Sequence, residues 1–423
     1  MVIAVSAPKR IQPGQVAWLL LILPFFLSWL PGGVRYLLDI LWLMLLVFLV
    51  RFWNRLGGRR LSTLALWVLT FLGLTIGVYL VQFQSIWYYL WGFRNNFRFY
   101  AAFFSFALFL NQREVEEIWR LFDRLFWMNF CLSLLEFGVL GRRGDYLGGI
   151  FGMEQGCNGY SNIFLVIAVT KSVVFYLEGM GSSDQCLAKC AAALLLAALA
   201  ELKFFFVEFA LILLLAMLFG RCSHRLFLLG MAAAAGVGIC ALLLYRLFPE
   251  FGGWFHPSDM LETATADAGY SSAGDLNRLT AISDISRQIF QNWGQRIFGL
   301  GLGNCDYAGF DFLTSPFYRS REGLHYTWMS HSFLFLETGY LGLTFFFGFL
   351  VLVFFAAGRR EKRCTGRQRA YCRVGRILAV LCMMVGIYNA SLRSEAGYLA
   401  YFALALPFGR RERGKDTGTK RIL

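Results

Sequence analysis

Charge is scarce in this chain. Of its 423 residues, 16% are charged, whereas a soluble globular domain carries about 25%. The apolar share is 58% and the mean hydropathy is +0.56. Such a composition, gathered into repeated long apolar runs, is that of a polytopic membrane protein. Several enzyme signatures are also missing. No P-loop, no H-E-x-x-H and no G-x-S-x-G occurs, which removes the sequence grounds for the phosphate-cradling, zinc-protease and serine-hydrolase chemistries those motifs serve. There is no convincing internal repeat, no low-complexity segment and no soluble domain beyond one outer loop. The ten cysteines are scattered. Cys186 and Cys190 are four apart, but no histidine or second pair follows, so they read as small apolar residues among helices rather than a zinc site. No cofactor and no metal is expected.

What is abundant is phenylalanine, with 44 copies. That suits lipid-facing and interfacial positions. The net charge of +14 is not a sign of nucleic-acid binding, because cytoplasmic loops collect Lys and Arg and the charge must first be divided by membrane side. Apolar stretches bounded by charge or turn residues predict about twelve spans of roughly 20 residues. They lie near 16–31, 35–53, 61–83, 97–111, 124–140, 158–177, 186–201, 204–220, 226–247, 329–357, 376–392 and 396–409. The run after Lys9 and Arg10 has no small-x-small cleavage site after it and reads as an uncleaved first helix entering from the inside. With that topology, the inner segments hold 26 of the 40 Lys and Arg, the outer segments and outer helix ends hold 13, and Lys171 sits within the sixth span. The bias fits the topology and sets both termini in the cytoplasm.

The expected fold class is therefore all-α and polytopic. Residues 1–248 form nine transmembrane helices, 249–328 form a large extracytoplasmic loop, and 329–423 form three more helices and a basic cytoplasmic tail. A connection this long is usually functional. Within it, NRLTAISDISRQIFQNW repeats Leu279, Ile282, Ile285, Ile289 and Phe290 at helical spacing. Asp275 or Asn277 could cap that helix, and Arg278 would lie near its start, an unfavourable dipole position without an anion nearby.

Four groups of residues could carry chemistry. His331 opens the tenth span at its outer end. A neutral imidazole there can accept a proton, or can simply bond a loop carbonyl. Glu337 is six residues on, about 600° of helical rotation, so it faces elsewhere and ties the helix to a neighbour or a polar cavity. Cations gather on the side that the positive-inside rule depletes: Arg142, Arg143, Lys203, Arg278, Arg287, Arg296, Arg319, Arg321 and Arg393. Guanidinium groups bind phosphate oxygens in bidentate fashion, so as a group they point to a diphosphate, although acids such as Asp275, Asp284 and Glu322 could neutralise any one of them. In ELKFFFVEF, Lys203 could face an anion with Glu201 and Glu208 orienting it, or the three could neutralise one another between helices. In YLGGIFGMEQGCNGYSNIF, Asn158 and Asn162 could bind sugar hydroxyls or cap a helix, the cap being the safer reading for Asn158. FGLGLGN, residues 298–304, lacks G-x-G-x-x-G spacing and reads as a tightly packed loop near the membrane.

These features together resemble the O-antigen ligase and Wzy-type polysaccharide polymerase superfamily. The outer loop is similar to the family's large extracytoplasmic loop. NRLTAISDISRQIFQNWGQRIFGLGLGN resembles its arginine, helix and glycine-rich F-G-x-G-x-G, and SHSFLFLETGYLG its histidine-led helix with E-x-G-x-x-G. The likeness covers the arrangement of most of the chain, and specific residues only over about 275–342 and 142–162. It implies a GT-C-like glycosyltransferase in the bacterial inner membrane, working on the extracytoplasmic face, metal-independent and inverting. Arg278 and His331 take the family's loop arginine and histidine roles. Arg143, before GGIFG, matches an arginine before the sixth span, and Arg142 fits nearly as well. The ligase form often has Ser-Arg-Gly where this chain has ELKFFF. That departure leaves the role of Lys203 open and leans towards the polymerase branch, as do GCNGYSN and NASLRSEAGYLAYF. The implied partners are undecaprenyl diphosphate-linked oligosaccharide and membrane lipid, with a flippase and a chain-length regulator as further candidates and no nucleic acid. Rival readings are a ligase using another acceptor, a lipid-linked sugar flippase or transporter, and a structural assembly protein. A flippase or transporter would ordinarily show short loops and repeats. A structural protein gives no account of Arg278 and His331.

Overall fold

The computed structural model describes residues 12–57, 61–82, 84–220 and 275–409, with isolated helical positions between 230 and 246. The described residues are all helical or irregular, with no strand. Fifteen α-helices follow in order: α1 (Pro13–Ile22), α2 (Leu37–Arg51), α3 (Asn54–Gly57), α4 (Ser62–Gln82), α5 (Ile86–Phe109), α6 (Gln112–Gly138), α7 (Asn158–Leu177), α8 (Ser183–Leu199), α9 (Lys203–Phe219), α10 (Ala281–Asp284), α11 (Trp293–Phe298), α12 (Pro316–Arg321), α13 (Ser330–Glu361), α14 (Gly366–Tyr388) and α15 (Gly397–Ala405).

Among the described residues, five helical segments are long and apolar enough to cross a membrane: Gly32–Arg51, Ser62–Gln82, Asn158–Leu177, Ser330–Glu361 and Gly366–Tyr388. They make the chain a multi-pass membrane protein. The other expected spans take different forms. The first breaks after α1 into 3-10 turns at Leu23–Phe25 and Leu27–Trp29, where Pro24 at the start of the turn cannot continue an α-helical ladder. The fourth begins earlier than its apolar run, at Ile86, and carries Arg94, Asn95, Asn96 and Arg98 inside the helix. The eighth is a 17-residue helix, and the ninth, 226–247, lies largely outside the described residues, as does the loop before Asp275.

The phenylalanines are a correction. Many face the interior: Phe25, Phe103, Phe122, Phe126, Phe164, Phe205, Phe209 and Phe349 are all under 2% exposed. Between helices in lipid there is little hydrophobic driving force, so close dispersion contact holds them together, and aromatic rings supply it in edge and offset geometry. Phe103 of α5 meets Phe349 of α13 edge-on with ring centres 5.1 Å apart, and Phe99 of α5 stacks on Tyr401 of α15 at 5.5 Å. The α4 helix is pinned to α13 by Trp67 Nε1 donating to the Phe345 carbonyl over 2.9 Å.

Helix α13 is kinked at Gly339, where φ is +61° and ψ −160°. The break in the ladder opens the carbonyls of Leu336 and Glu337. The glycine-rich loop fills them: Leu300 N donates to Leu336 O over 2.8 Å and Gly301 N to Glu337 O over 3.0 Å. A Cβ on Gly303, at φ +83°, would stand 1.8 Å from the Tyr88 carbonyl. Only glycine permits this approach of loop to helix.

Candidate functional site

The start of α9, the end of α14, the start of α13 and the turn holding Arg278 meet at one end of the bundle. Ser330 Oγ donates to the Asn389 carbonyl over 2.9 Å, so the start of α13 is tied to the end of α14. Phe204 stacks on Tyr388, with ring centres 4.1 Å apart and planes 6° from parallel. Arg278 completes the stack from the loop. Its guanidinium carbon is 4.6 Å from the Tyr388 ring centre, and its Nε donates to the Tyr388 carbonyl over 2.9 Å. That carbonyl ends a helix and has no partner within it, so it is a natural acceptor for a cation.

His331 is buried in the same junction. Its ring lies against the main chain of Arg278 and of Gly386, and its buried Nδ1 has no hydrogen-bond partner among the described residues. Lys203, at the first position of α9, shares electrostatic surroundings with Arg278, Glu201 and Asp145. Glu201 takes a left-handed backbone, φ +54°, and its carboxylate closes over Gly144, where a Cβ would stand 3.2 Å away. Arg143, beside that glycine, is exposed and holds its guanidinium 5.8 Å from the Phe137 ring. Arg142 is exposed, with its main-chain N–H on the Glu136 carbonyl at 2.9 Å. His331, Arg278 and Lys203 are thus brought together, with Arg143 on the rim.

The other loop cations do not join them. Arg287 and Arg321 are exposed and make no side-chain hydrogen bond or ion pair with a described residue. Arg319 is exposed and pairs with Asp311 at 2.8 Å. Helical spacing had put Leu279 on a buried face, yet it is 60% exposed. The segment turns at Arg278–Thr280, runs α-helical over α10 and widens to a π-turn at Ile285–Ile289. Asn277 caps no helix; its Oδ1 accepts from Leu279 N over 3.1 Å in a local turn.

Two asparagine expectations change as well. Asn158 is inside α7 without a capping bond and donates to Asp145 Oδ1 at 2.9 Å and to the Ala200 carbonyl at 3.3 Å. It links the glycine-rich segment to the α8–α9 tip. Asn162 donates to Glu208 Oε2 at 3.0 Å, deep between α7 and α9. Glu208 is fully buried against Asn162, and the acids that act on Lys203 are Glu201 and Asp145. Glu337 accepts from Gly303 N at 2.8 Å and Asn96 Nδ2 at 3.3 Å, a tie between helix and loop.

A second polar cluster lies alongside and centres on Arg393. Its guanidinium stands 3.2 Å from the Phe333 ring centre, two residues past His331. It faces Asp306 at 3.9 Å, and its Nε has no partner among the described residues. Burial lowers the Arg393 pKa against the pull of Asp306 and Glu337, and raises that of Asp306 against the pull of Arg393. Arg98, inside α5, donates to the Arg393 carbonyl over 3.0 Å and lies 3.9 Å from Glu395. Tyr160 donates to Glu395 over 2.5 Å. Burial works against the Glu395 carboxylate, but Arg98, Tyr160 and Arg35 outweigh it and hold its pKa below the ordinary value. Sequence reasoning missed Arg98, Tyr160 and Glu395. The available signal was an arginine set among FRFYAAFFSFAL, since a charge in an apolar helix usually serves something.

Among the described residues no group of three or more His, Cys, Asp or Glu side chains is arranged to hold a metal ion. Compared with known proteins, the chain matches no protein-family model and no curated protein.

Proposed function

We propose that this protein is a polysaccharide polymerase. It would transfer a glycan from undecaprenyl diphosphate to a lipid-linked repeat unit on the extracytoplasmic face of the bacterial inner membrane, with about twelve spans in a GT-C-like arrangement. The observation that carries this reading is the meeting of Arg278 and His331, with Lys203 beside them, at the end of α13 away from its basic Arg359 and Arg360 terminus. A donor diphosphate is the kind of ligand that such a set of cations recognises.

In this mechanism the acceptor hydroxyl donates to the imidazole of His331. As its oxygen bonds to the anomeric carbon, its proton passes to the imidazole. The bond from that carbon to the diphosphate oxygen breaks, and the electron pair leaves with the diphosphate. Arg278 and Lys203 offset the charge of the departing group, and Arg143 contacts it from the rim. One displacement inverts the anomeric configuration. Electrostatic help of this kind commonly contributes about 10²–10³ in rate, and a positioned base about 10²–10⁴.

The test is reconstitution with lipid-linked repeat units, without nucleotide sugar and with chelator present. Wild type, His331→Ala and Arg278→Ala are compared by gel ladder, with a melting curve to show that each is folded. A ladder from wild type that folded variants lose supports the reading. Single transfer to a foreign acceptor without a ladder would make the protein a ligase. Movement of lipid-linked sugar across the bilayer with no product would overturn the enzyme reading.

A further inference from the structure

At the opposite end of α13 and α14 from His331, the two helices line a half-open cavity of about 530 Å³. Helix α13 carries Arg359 and Arg360 in its last turn, and charged side chains at the end of a span sit at the membrane surface. The cavity wall carries Arg359, Lys362, Arg369 and Arg376. Its one carboxylate, Glu361, is already engaged, accepting from Arg373 Nε at 2.7 Å and Arg376 Nη1 at 2.6 Å. Arg359, Lys362 and Arg369 make no ion pair with any described residue. Arg376 is fixed in place, with its guanidinium carbon 3.8 Å from the Phe219 ring centre and 5.0 Å from that of Phe354. Its buried Nε has no partner among the described residues. Gly358 makes room for it, since a Cβ there would stand 3.2 Å from that Nε.

This is an excess of positive charge around a hollow, which a bound anion would offset. Two further features bear on which anion. Phe354 and Phe355 line the same cavity on the membrane side, and Phe355 is 58% exposed. A basic head region running into an apolar wall matches a molecule with a phosphate at one end and hydrocarbon at the other. Basic pockets between transmembrane helices on the cytoplasmic side bind anionic headgroups, and the Lys and Arg bias of this chain assigns this end to the cytoplasm.

We propose that this cavity binds the phosphate diester of an anionic phospholipid of the cytoplasmic leaflet. Arg359, Lys362 and Arg369 supply the charge, Arg376 adds to it from the wall, and Phe354 and Phe355 give the surface for the acyl chains. The site is independent of the glycan-transfer reading and lies at the other end of the helices that carry it.

Native mass spectrometry of the detergent-purified full chain, titrated with phosphatidylglycerol or phosphatidylcholine, tests this. Wild type is expected to retain phosphatidylglycerol and not phosphatidylcholine. The double variant Arg359→Gln/Arg369→Gln is expected to bind phosphatidylglycerol roughly 30-fold more weakly. Arg120→Gln, an exposed basic position elsewhere, is expected to bind as wild type. Lys362→Gln is a second reporter if the double variant melts early. Equal retention of the two lipids, or undiminished binding by the variants, would overturn the proposal. So would displacement of phosphatidylglycerol by excess inorganic phosphate, which would assign the cavity to a soluble anion.

Discussion

Arg278 and Tyr388 are joined twice: a 2.9 Å hydrogen bond runs from the guanidinium Nε to the tyrosine carbonyl, and the guanidinium carbon lies 4.6 Å from the centre of the tyrosine ring. The loop arginine is therefore aimed by the last residue of a membrane helix.

Removing the ring should loosen that aim. A cation over an aromatic face contributes about 0.5–2 kcal/mol, so Tyr388→Ala should lower the proposed glycan transfer by roughly 2- to 30-fold, chiefly through a higher KM for the proposed lipid-linked donor. Tyr388→Phe keeps the ring and the carbonyl and should retain nearly full activity. Equal losses in the two variants, read from initial rates, would count against this role.

Gly303→Ala should be among the most damaging single-methyl changes in the chain. The new Cβ would lie 1.8 Å from the Tyr88 carbonyl, at a φ of +83° that alanine resists. Left-handed strain alone costs on the order of 1–3 kcal/mol, and the clash adds to it. Fluorescence-detected size exclusion should show little folded protein. Gly323→Ala, with nothing within 4 Å of its added Cβ, should behave as wild type.

Glu337 can be probed by what it accepts. Glu337→Gln keeps one carbonyl oxygen for Gly303 N but turns an amide donor towards Asn96 Nδ2, so it should melt below wild type and above Glu337→Ala. Glu337→Ala leaves a buried N–H unpaired, costing about 1–3 kcal/mol. Similar melting temperatures for the two variants would mean that the 2.8 Å contact contributes little.

Glu395 supplies the pH dependence. Its folded pKa is held below the ordinary value by Arg98, Tyr160 and Arg35, against burial. The stabilisation it gives is complete above the unfolded carboxyl's pKa of about 4.3, and is lost as pH falls through the lower folded value. Wild type should therefore melt higher than Glu395→Gln near neutrality, with the two curves converging in acid. A gap that stays constant from about pH 7 down to pH 3 would rule out this linkage.

Much of the architecture was legible in the chain. Long apolar runs bounded by charge marked α4, α7 and α13 within a few residues, because the cost of unpaired backbone in lipid leaves little choice but a helix; α14 begins at Gly366, well before the apolar run expected from 376, because its first turns are basic. The site was legible only as a set of candidates. His331 and Arg278 stood out because ionisable groups at membrane depth or on the depleted side call for explanation. Arg287, Arg319 and Arg321 looked just as good in sequence, yet they lie on the exposed loop surface.

By itself, then, the sequence determined the helical membrane character, the basic end of each helix and the short roll of residues able to carry chemistry. Tertiary structure decided which of them meet. Tyr388 has no chemical signal of its own, and it gains a role only because α14 ends beneath Arg278 and beside Phe204. Arg98, Glu395 and Tyr160 come from three distant stretches, and their charges are tolerable in the interior only as partners of one another. Periodicity reports on the face of one helix. Pairing between helices depends on how they pack, through contacts that no single run of residues encodes.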